Sequence, residues 1–190
     1  MGSQISSLCR QLQPKRKYVL IVGQENSGKT TFLYGTKLKP GWEQTDFEHT
    51  VGYNYEELRT TSGVLAIFDT PGNEALFPIV RNLYKNLMIS GVVYVFRLSN
   101  KAIDFIMAKR RLKFLANEPE LKKCALSIVC NVSGEIDAQF KEKSYLEKAL
   151  GVDELKHIDN KEVFVFDAKY SPKESDFVWR WMNERVETDD

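Results

Sequence analysis

Residues 23–31 read GQENSGKTT and match the spacing G-x-x-x-x-G-K-[ST], a phosphate-cradling loop. Gly23 and Gly28 let backbone N–H groups turn inward around phosphate oxygens, with Gln24, Glu25, Asn26 and Ser27 forming the loop between them. Lys29 supplies a point charge to β- and γ-phosphates, the Thr30 hydroxyl can ligate Mg2+, and Thr31 completes the nucleotide-contacting set. Two further groups stand downstream. Thr50, in HTVGYN, can reach a γ-phosphate and Mg2+ from a loop. In DTPG, Asp69 can hold the metal through water and the Gly72 N–H can sense the γ-phosphate. A lone D-x-x-G is usually just a turn, but loop, threonine and D-x-x-G in this order make a coherent two-state switch.

These groups need a frame that delivers them to one place. Apolar runs bounded by turn residues occur at 18–22 (YVLIV), 64–68 (VLAIF), 92–96 (VVYVF), 126–130 (LSIVC) and 163–166 (VFVF). They are short, rich in β-branched and aromatic residues and hardly alternating, the pattern of strands covered on both faces. Helix-length segments lie between them, at 29–38, about 76–90, about 101–116, about 140–150 and 174–186, the last with Phe177, Trp181 and Met182 spaced for one face. The alternation predicts a mostly parallel α/β sheet with helices on both faces, and the phosphate loop stands after a buried strand and before a helix, where its chemistry requires it. One interval breaks the alternation. YNYEELRTTSGVLAIFD reads as two strands joined at Ser62-Gly63, an antiparallel hairpin at a sheet edge.

Composition narrows the partners. Length and 43% hydrophobic content suit one domain with a full core. Lys+Arg 27 against Asp+Glu 26 leaves no global field to recruit nucleic acid, which is not expected as a partner. Cys9, Cys124 and Cys130 with His49 and His157 are too scattered for a zinc site or disulfide framework, and two of the cysteines fall in or beside a buried strand. No run approaches a membrane span, and the amino terminus lacks a secretory core, so a cytoplasmic location is expected.

The chain resembles the Arf and Arf-like branch of small GTPases over essentially its whole length. The resemblance is carried by MGSQIS at the start, Glu25 inside the loop, TVGYN for the family's T-x-G-F-N, FDTPGNE for its W-D-V-G-G-Q, FPIVRNLYKN for the following switch helix, the hairpin for its interswitch and YLEKALGVDEL for its late helix. It implies a Ras-like P-loop fold, with a six-stranded sheet, and a GTP/GDP and Mg2+ site. The departures are equally specific. The family reads guanine with N-K-x-D, and the aligned residues here are Asn131, Val132, Ser133 and Gly134. Both base-reading side chains are missing, and the pair of charge-assisted bonds lost with the carboxylate is worth about 3–6 kcal/mol, about two to four orders of magnitude in affinity, so ATP becomes an admissible ligand. Glu135, one residue on, reaches the same base edge if the loop is shifted. Ala168 and Lys169 keep the Ala-Lys of the family's S-A-K loop, with a backbone N–H for the base oxygen. Asn73 replaces the family's water-orienting glutamine and is one methylene shorter, while Arg97 and Leu98 replace its Asp-Ser. Hydrolysis is therefore expected to be slow or absent.

The amino terminus fits the myristoylation pattern M-G-x-x-x-S with Gly2 as acceptor. Ile5, Leu8, Cys9 and Leu12 share one helical face, with Arg10, Lys15, Arg16 and Lys17 adjoining, so residues 1–16 read as an amphipathic anchor and 17–190 as the nucleotide domain. The competing reading is a short helix docked on the protein itself or a partner. The expected protein is an Arf-like nucleotide binder that presents its switch and interswitch surface to effector or assembly proteins, peripheral on the cytosolic face of a membrane. The alternative is a degenerate, pseudo-GTPase member acting as a fixed subunit or scaffold of a larger cytosolic-side assembly. A P-loop kinase is disfavoured by the hairpin and by the want of a lid.

Overall fold

The computed structural model describes residues 15–35 and 50–186. The expected anchor helix, with Gly2, lies outside them except for Lys15 and Arg16, and Arg16 already begins the first strand. In chain order the elements are β1 (Arg16–Gly23), α1 (Lys29–Gly35), β2 (Asn54–Arg59), β3 (Val64–Asp69), α2 (Phe77–Asn86), β4 (Ile89–Arg97), α3 (Ala102–Asn117), β5 (Ala125–Asn131), α4 (Lys143–Leu150), β6 (Lys161–Phe166) and α5 (Pro172–Val186). The sheet has six strands in the order β2-β3-β1-β4-β5-β6. Every pairing is parallel except the edge hairpin, in which Asn54 opposes Asp69 and Arg59 opposes Val64.

Strand alternation divides the core into two layers. Leu20, Val22, Tyr94, Phe96, Ile128 and Cys130 point to the face covered by α2, α3 and α4, which bring Val80, Leu83, Phe105, Leu112, Leu146 and Leu150. Val19, Ile21, Val93, Val95 and Val129 point to the other face, against Phe32 and Leu33 of α1 and Val178, Trp179 and Met182 of α5. Central strands are therefore apolar at consecutive positions, as their sequence runs indicated. Cys124 and Cys130 are both buried free thiols.

Three helical segments differ from expectation. The segment expected as one helix over about 76–90 is a 3-10 turn at Glu74–Leu76 followed by α2, and β4 begins at Ile89 because that residue pairs with Tyr18 of β1. Sheet pairing outcompetes helix propensity there. On α5 the buried face is Val178, Trp179, Met182 and Val186, whereas Phe177 is 57% exposed beneath the Arg180 guanidinium and Trp181 stands at the edge against Phe164. Met182 alone of the three expected residues lies in the core. The 140–150 segment likewise splits into a 3-10 turn at Ala138–Lys141 and α4.

Candidate functional site

The loop between β1 and α1 runs from Gln24 to Gly28, so its N–H groups gather at the C-terminal edge of a parallel strand and the start of a helix. Gly28 has φ +90, and a Cβ there would stand 2.3 Å from the Asn131 Nδ2. Only glycine fits both the backbone and the contact. Asn26 takes the left-handed region at φ 57, which an asparagine tolerates.

Lys29 is buried, and its Nζ donates to the Gln24 carbonyl at 2.7 Å. Burial pushes its pKa down to about 8, with Arg111 lowering it further and Asp69 and Glu25 opposing. The lysine is folded over its own loop with its charge held at a cost, a charge for which phosphate oxygens are the natural counterpart.

Thr30 Oγ1 donates to Asp69 Oδ2 at 2.7 Å, and Asn54 Nδ2 donates to the same oxygen at 3.2 Å. Asp69 is fully buried, and burial raises its pKa against the lowering by Thr30, Asn54 and Lys29. Its other oxygen, Oδ1, has no hydrogen-bond partner. A buried carboxylate oxygen without a donor, beside a threonine hydroxyl, is a donor set that suits a hard cation or its water shell, so the residues fit Mg2+.

The chain after Asp69 is fixed by Thr70, whose hydroxyl donates to the Ile21 carbonyl at 2.7 Å. It then presses against the phosphate loop. A Cβ on Gly72 would stand 2.5 Å from the Glu25 nitrogen and 2.6 Å from the Gln24 carbonyl carbon. Asn73 Oδ1 accepts from the Ala75 N–H at 2.9 Å, capping the 3-10 turn, and Glu74 pairs with Arg111 of α3 at 2.5 Å.

One cavity of about 360 Å3 collects Glu25, Asn26, Gly28 to Thr31, Thr50, Gly72 and Asn73, joined by Val51 and Leu76. Gly23 closes β1 behind it, while Gln24 and the buried Ser27 lie in the loop without lining it. The expected base-side residues are outside this cavity. Asn131, 7% exposed, donates through Nδ2 to the Ser27 carbonyl and accepts at Oδ1 from the Ala168 N–H, both at 2.9 Å. It thus ties the phosphate loop to the β6–α5 loop, and in this arrangement the Ala168 N–H is directed to Asn131. Glu135 is exposed, and its carbonyl accepts from Asn100 Nδ2 at 3.5 Å. Lys169 is exposed, with its ammonium 5.7 Å from the centre of the Tyr170 ring. Of the two residues that replace the family's Asp-Ser, Arg97 is exposed and Leu98 buried.

Beyond the apolar Val51 and Leu76 of the lining, three polar residues of this site were not singled out from the sequence. Asn54 stands in TVGYN and is carried onto Asp69 by the hairpin register, so pairing the two strands would have revealed it. Thr70 stands inside DTPG, where only Asp69 and Gly72 were given roles. Arg111 reaches the switch loop from 37 positions away and left no local signal.

The model of the ADP-ribosylation factor family, Arf, matches residues 3–181. Over 113 residues the chain is 33% identical to ADP-ribosylation factor-like protein 6 of Danio rerio, a match spanning 58% of this chain and 58% of that protein's length. The solved Arl6 BBS3 small GTPase of Trypanosoma brucei, with bound nucleotide analogue GppNp, superposes with a TM-score of 0.72 at 19% identity, covering 93% of this chain and 100% of that one. That likeness shows the fold.

Proposed function

Because the chain belongs to the ADP-ribosylation factor family, we propose that it binds a magnesium nucleotide through its phosphate loop and presents its switch and interswitch surface to partner proteins, with weak or absent hydrolysis. The family and the fold are those of nucleotide-binding small GTPases. The observation that carries the proposal is the convergence of the phosphate loop, Thr50 and Gly72 on one cavity, with Thr30 of its lining hydrogen-bonded to the buried Asp69. Lys29 and the loop amides would hold the β- and γ-phosphates. Thr30, Thr50 and, through water, Asp69 would hold Mg2+, which supplies charge neutralisation between phosphate oxygens. At Gly72 the exit of β3 lies against the Gln24–Glu25 backbone of the loop, so it can register a γ-phosphate.

The base is the open half of the site. GTP and GDP are the family's ligands, but Gly134 offers no carboxylate, and the expected discrimination between GTP and ATP is two to four orders of magnitude below that of an intact N-K-x-D reader. Chromatography of nucleotide released from purified protein, followed by GTP and ATP competition, reads this directly. Tight GTP binding that excludes ATP and collapses in Glu135→Ala would assign the reading to Glu135; the same selectivity unmoved by that substitution would overturn the prediction.

Feeble hydrolysis follows from Asn73, whose side-chain oxygen is engaged by Ala75 and is a methylene short of the family's glutamine. A water misplaced by about 1 Å costs on the order of a hundredfold. Asn73→Gln should raise the single-turnover rate by that order, and wild-type turnover at the speed of an activated GTPase would refute the account. The same cap favours the second reading, a fixed subunit in which Asn73 is purely a turn residue. Protein that neither retains nor binds any di- or triphosphate in Mg2+ would leave that reading standing.

At the amino terminus we propose Gly2 myristoylation and peripheral attachment to the cytosolic face of a membrane. A single acyl chain is marginal alone, and Lys15, Arg16 and Lys17 would add about 1 kcal/mol each near anionic lipid. The intact mass of the native protein decides the lipid half, since an unmodified Gly2 removes it.

A further inference from the structure

Helix α3 carries two apolar stripes where a surface helix needs one. At about 100° per residue, Phe105, Ala108, Leu112, Leu115 and Ala116 share one side, and all five are buried. Ile103, Ile106, Met107 and Phe114 fall on the opposite side and are 57%, 60%, 38% and 46% exposed. Single exposed apolar residues are ordinary, but four aligned on one helix mark an interaction surface.

The stripe runs into a groove. Phe77 of α2 meets Phe114 edge to face at 5.6 Å between ring centres, and with Glu74, Met107, Arg110 and Arg111 these rings line a concavity of about 390 Å3. Its floor is apolar and its rim cationic. Arg110 sits within the exposed stripe and Lys113 beside it, both exposed; neither forms a salt bridge among the described residues, though the Lys113 charge helps to lower the pKa of Glu154. Arg111 already holds one carboxylate at the groove, that of Glu74.

We propose that this face of α3 is a docking site for an acidic amphipathic helix of a partner protein. Apolar side chains of the partner would enter between Phe77, Met107 and Phe114, while flanking Asp or Glu residues meet Arg110 and Lys113. From Ile103 to Phe114 the surface extends about 16 Å at 1.5 Å per residue, room for a helix of about three turns. A second copy of the same face is a poor occupant, because it would set Arg110 and Lys113 against their own like charges. A membrane is also a poor occupant, because a flat lipid surface would touch the crest of the stripe and leave the floor at Phe77 unfilled. This surface lies on α3 and on Glu74 and Phe77 at the start of the switch helix, apart from the hairpin, and its occupancy does not depend on which base the nucleotide site takes.

The test uses the full chain and a displayed library of helical peptides of about four turns, with leucine and phenylalanine fixed on one face and Glu, Lys, Gln or Ala drawn equally elsewhere. Retained peptides are expected to favour Glu over Lys beside the apolar face by at least about tenfold. A synthetic peptide of the retained sequence should bind Ile106→Asp at least about tenfold more weakly. The double variant Arg110→Glu, Lys113→Glu should invert the preference to Lys. All three positions are exposed, so melting temperatures near wild type confirm that the fold is intact. Retained peptides without charge preference, affinity unmoved by Ile106→Asp, or no retained peptide at all would overturn the proposal. Cosedimentation with phosphatidylserine vesicles that is lost in Ile106→Asp would give the face to a membrane, and a light-scattering dimer lost in that variant would give it to a second copy.

Discussion

Lys29→Ala is expected to weaken nucleotide binding by two to four orders of magnitude. The ammonium would serve two phosphate groups, and charge-assisted hydrogen bonds of about 1.5–3 kcal/mol each sum to about 3–6 kcal/mol. Folding should be spared. The wild-type charge is buried at a cost that its removal relieves, so the variant is expected to remain folded. Calorimetric titration with GTP and ATP, beside thermal melts in EDTA, separates lost binding from lost structure. Wild-type affinity in the variant would remove Lys29 from the phosphate site.

The same lysine sets a pH dependence. In the free protein its pKa is lowered from 10.5 to about 8, so above pH 8 it is increasingly neutral, whereas phosphate oxygens favour the charged form. Binding must then take up a proton. Affinity is expected to fall as pH rises beyond about 8, approaching tenfold per unit until the bound-state pKa is reached. The stability of the free protein moves the other way, rising with pH from 8 toward 10.5, because the unfolded lysine keeps a proton that the folded one has lost. Affinities measured from pH 7 to pH 10 in buffers of different ionisation enthalpy reveal the proton, and a flat profile would contradict this account.

Gly72→Ala should disable the switch while leaving the cradle occupied. The added Cβ would lie 2.5 Å from the Glu25 nitrogen and 2.6 Å from the Gln24 carbonyl carbon, both backbone atoms that cannot swing aside. The segment from Pro71 to Glu74 must move off the phosphate loop by the better part of 1 Å, a displacement that costs on the order of a hundredfold where geometry is used. Diphosphate binding, which rests on Lys29 and the loop amides, should change little. The preference for triphosphate over diphosphate, or any triphosphate-dependent partner affinity, should drop about a hundredfold. Equal loss of both nucleotides would mean that the substitution had deformed the cradle instead.

The sequence determined the frame and the phosphate end because both are local. A buried strand, a glycine loop and a helix start are contiguous, so spacing alone assembled Gly23 to Thr31, and the apolar runs announced five strands while YNYEELRTTSGVLAIFD announced the edge hairpin. The departures at Asn131 to Gly134 and at Asn73 were legible for the same reason, since they are substitutions within contiguous motifs.

Tertiary structure decided what depends on contacts between distant segments. Strand register sets Asn54 opposite Asp69, and the shared sheet edge puts Thr30 within 2.7 Å of that carboxylate. Close approach makes Gly72 and Gly28 steric requirements, the one against the Gln24–Glu25 backbone and the other against Asn131. Competition between pairing and propensity moved Ile89 from an expected helix into β4, and packing chose Val178, Trp179, Met182 and Val186 over Phe177 as the buried face of α5. The second stripe of α3 belongs to the same class. Its residues are apolar like those of the first, and only the placement of the sheet on one side of the helix determines which stripe is buried and which is left for a partner.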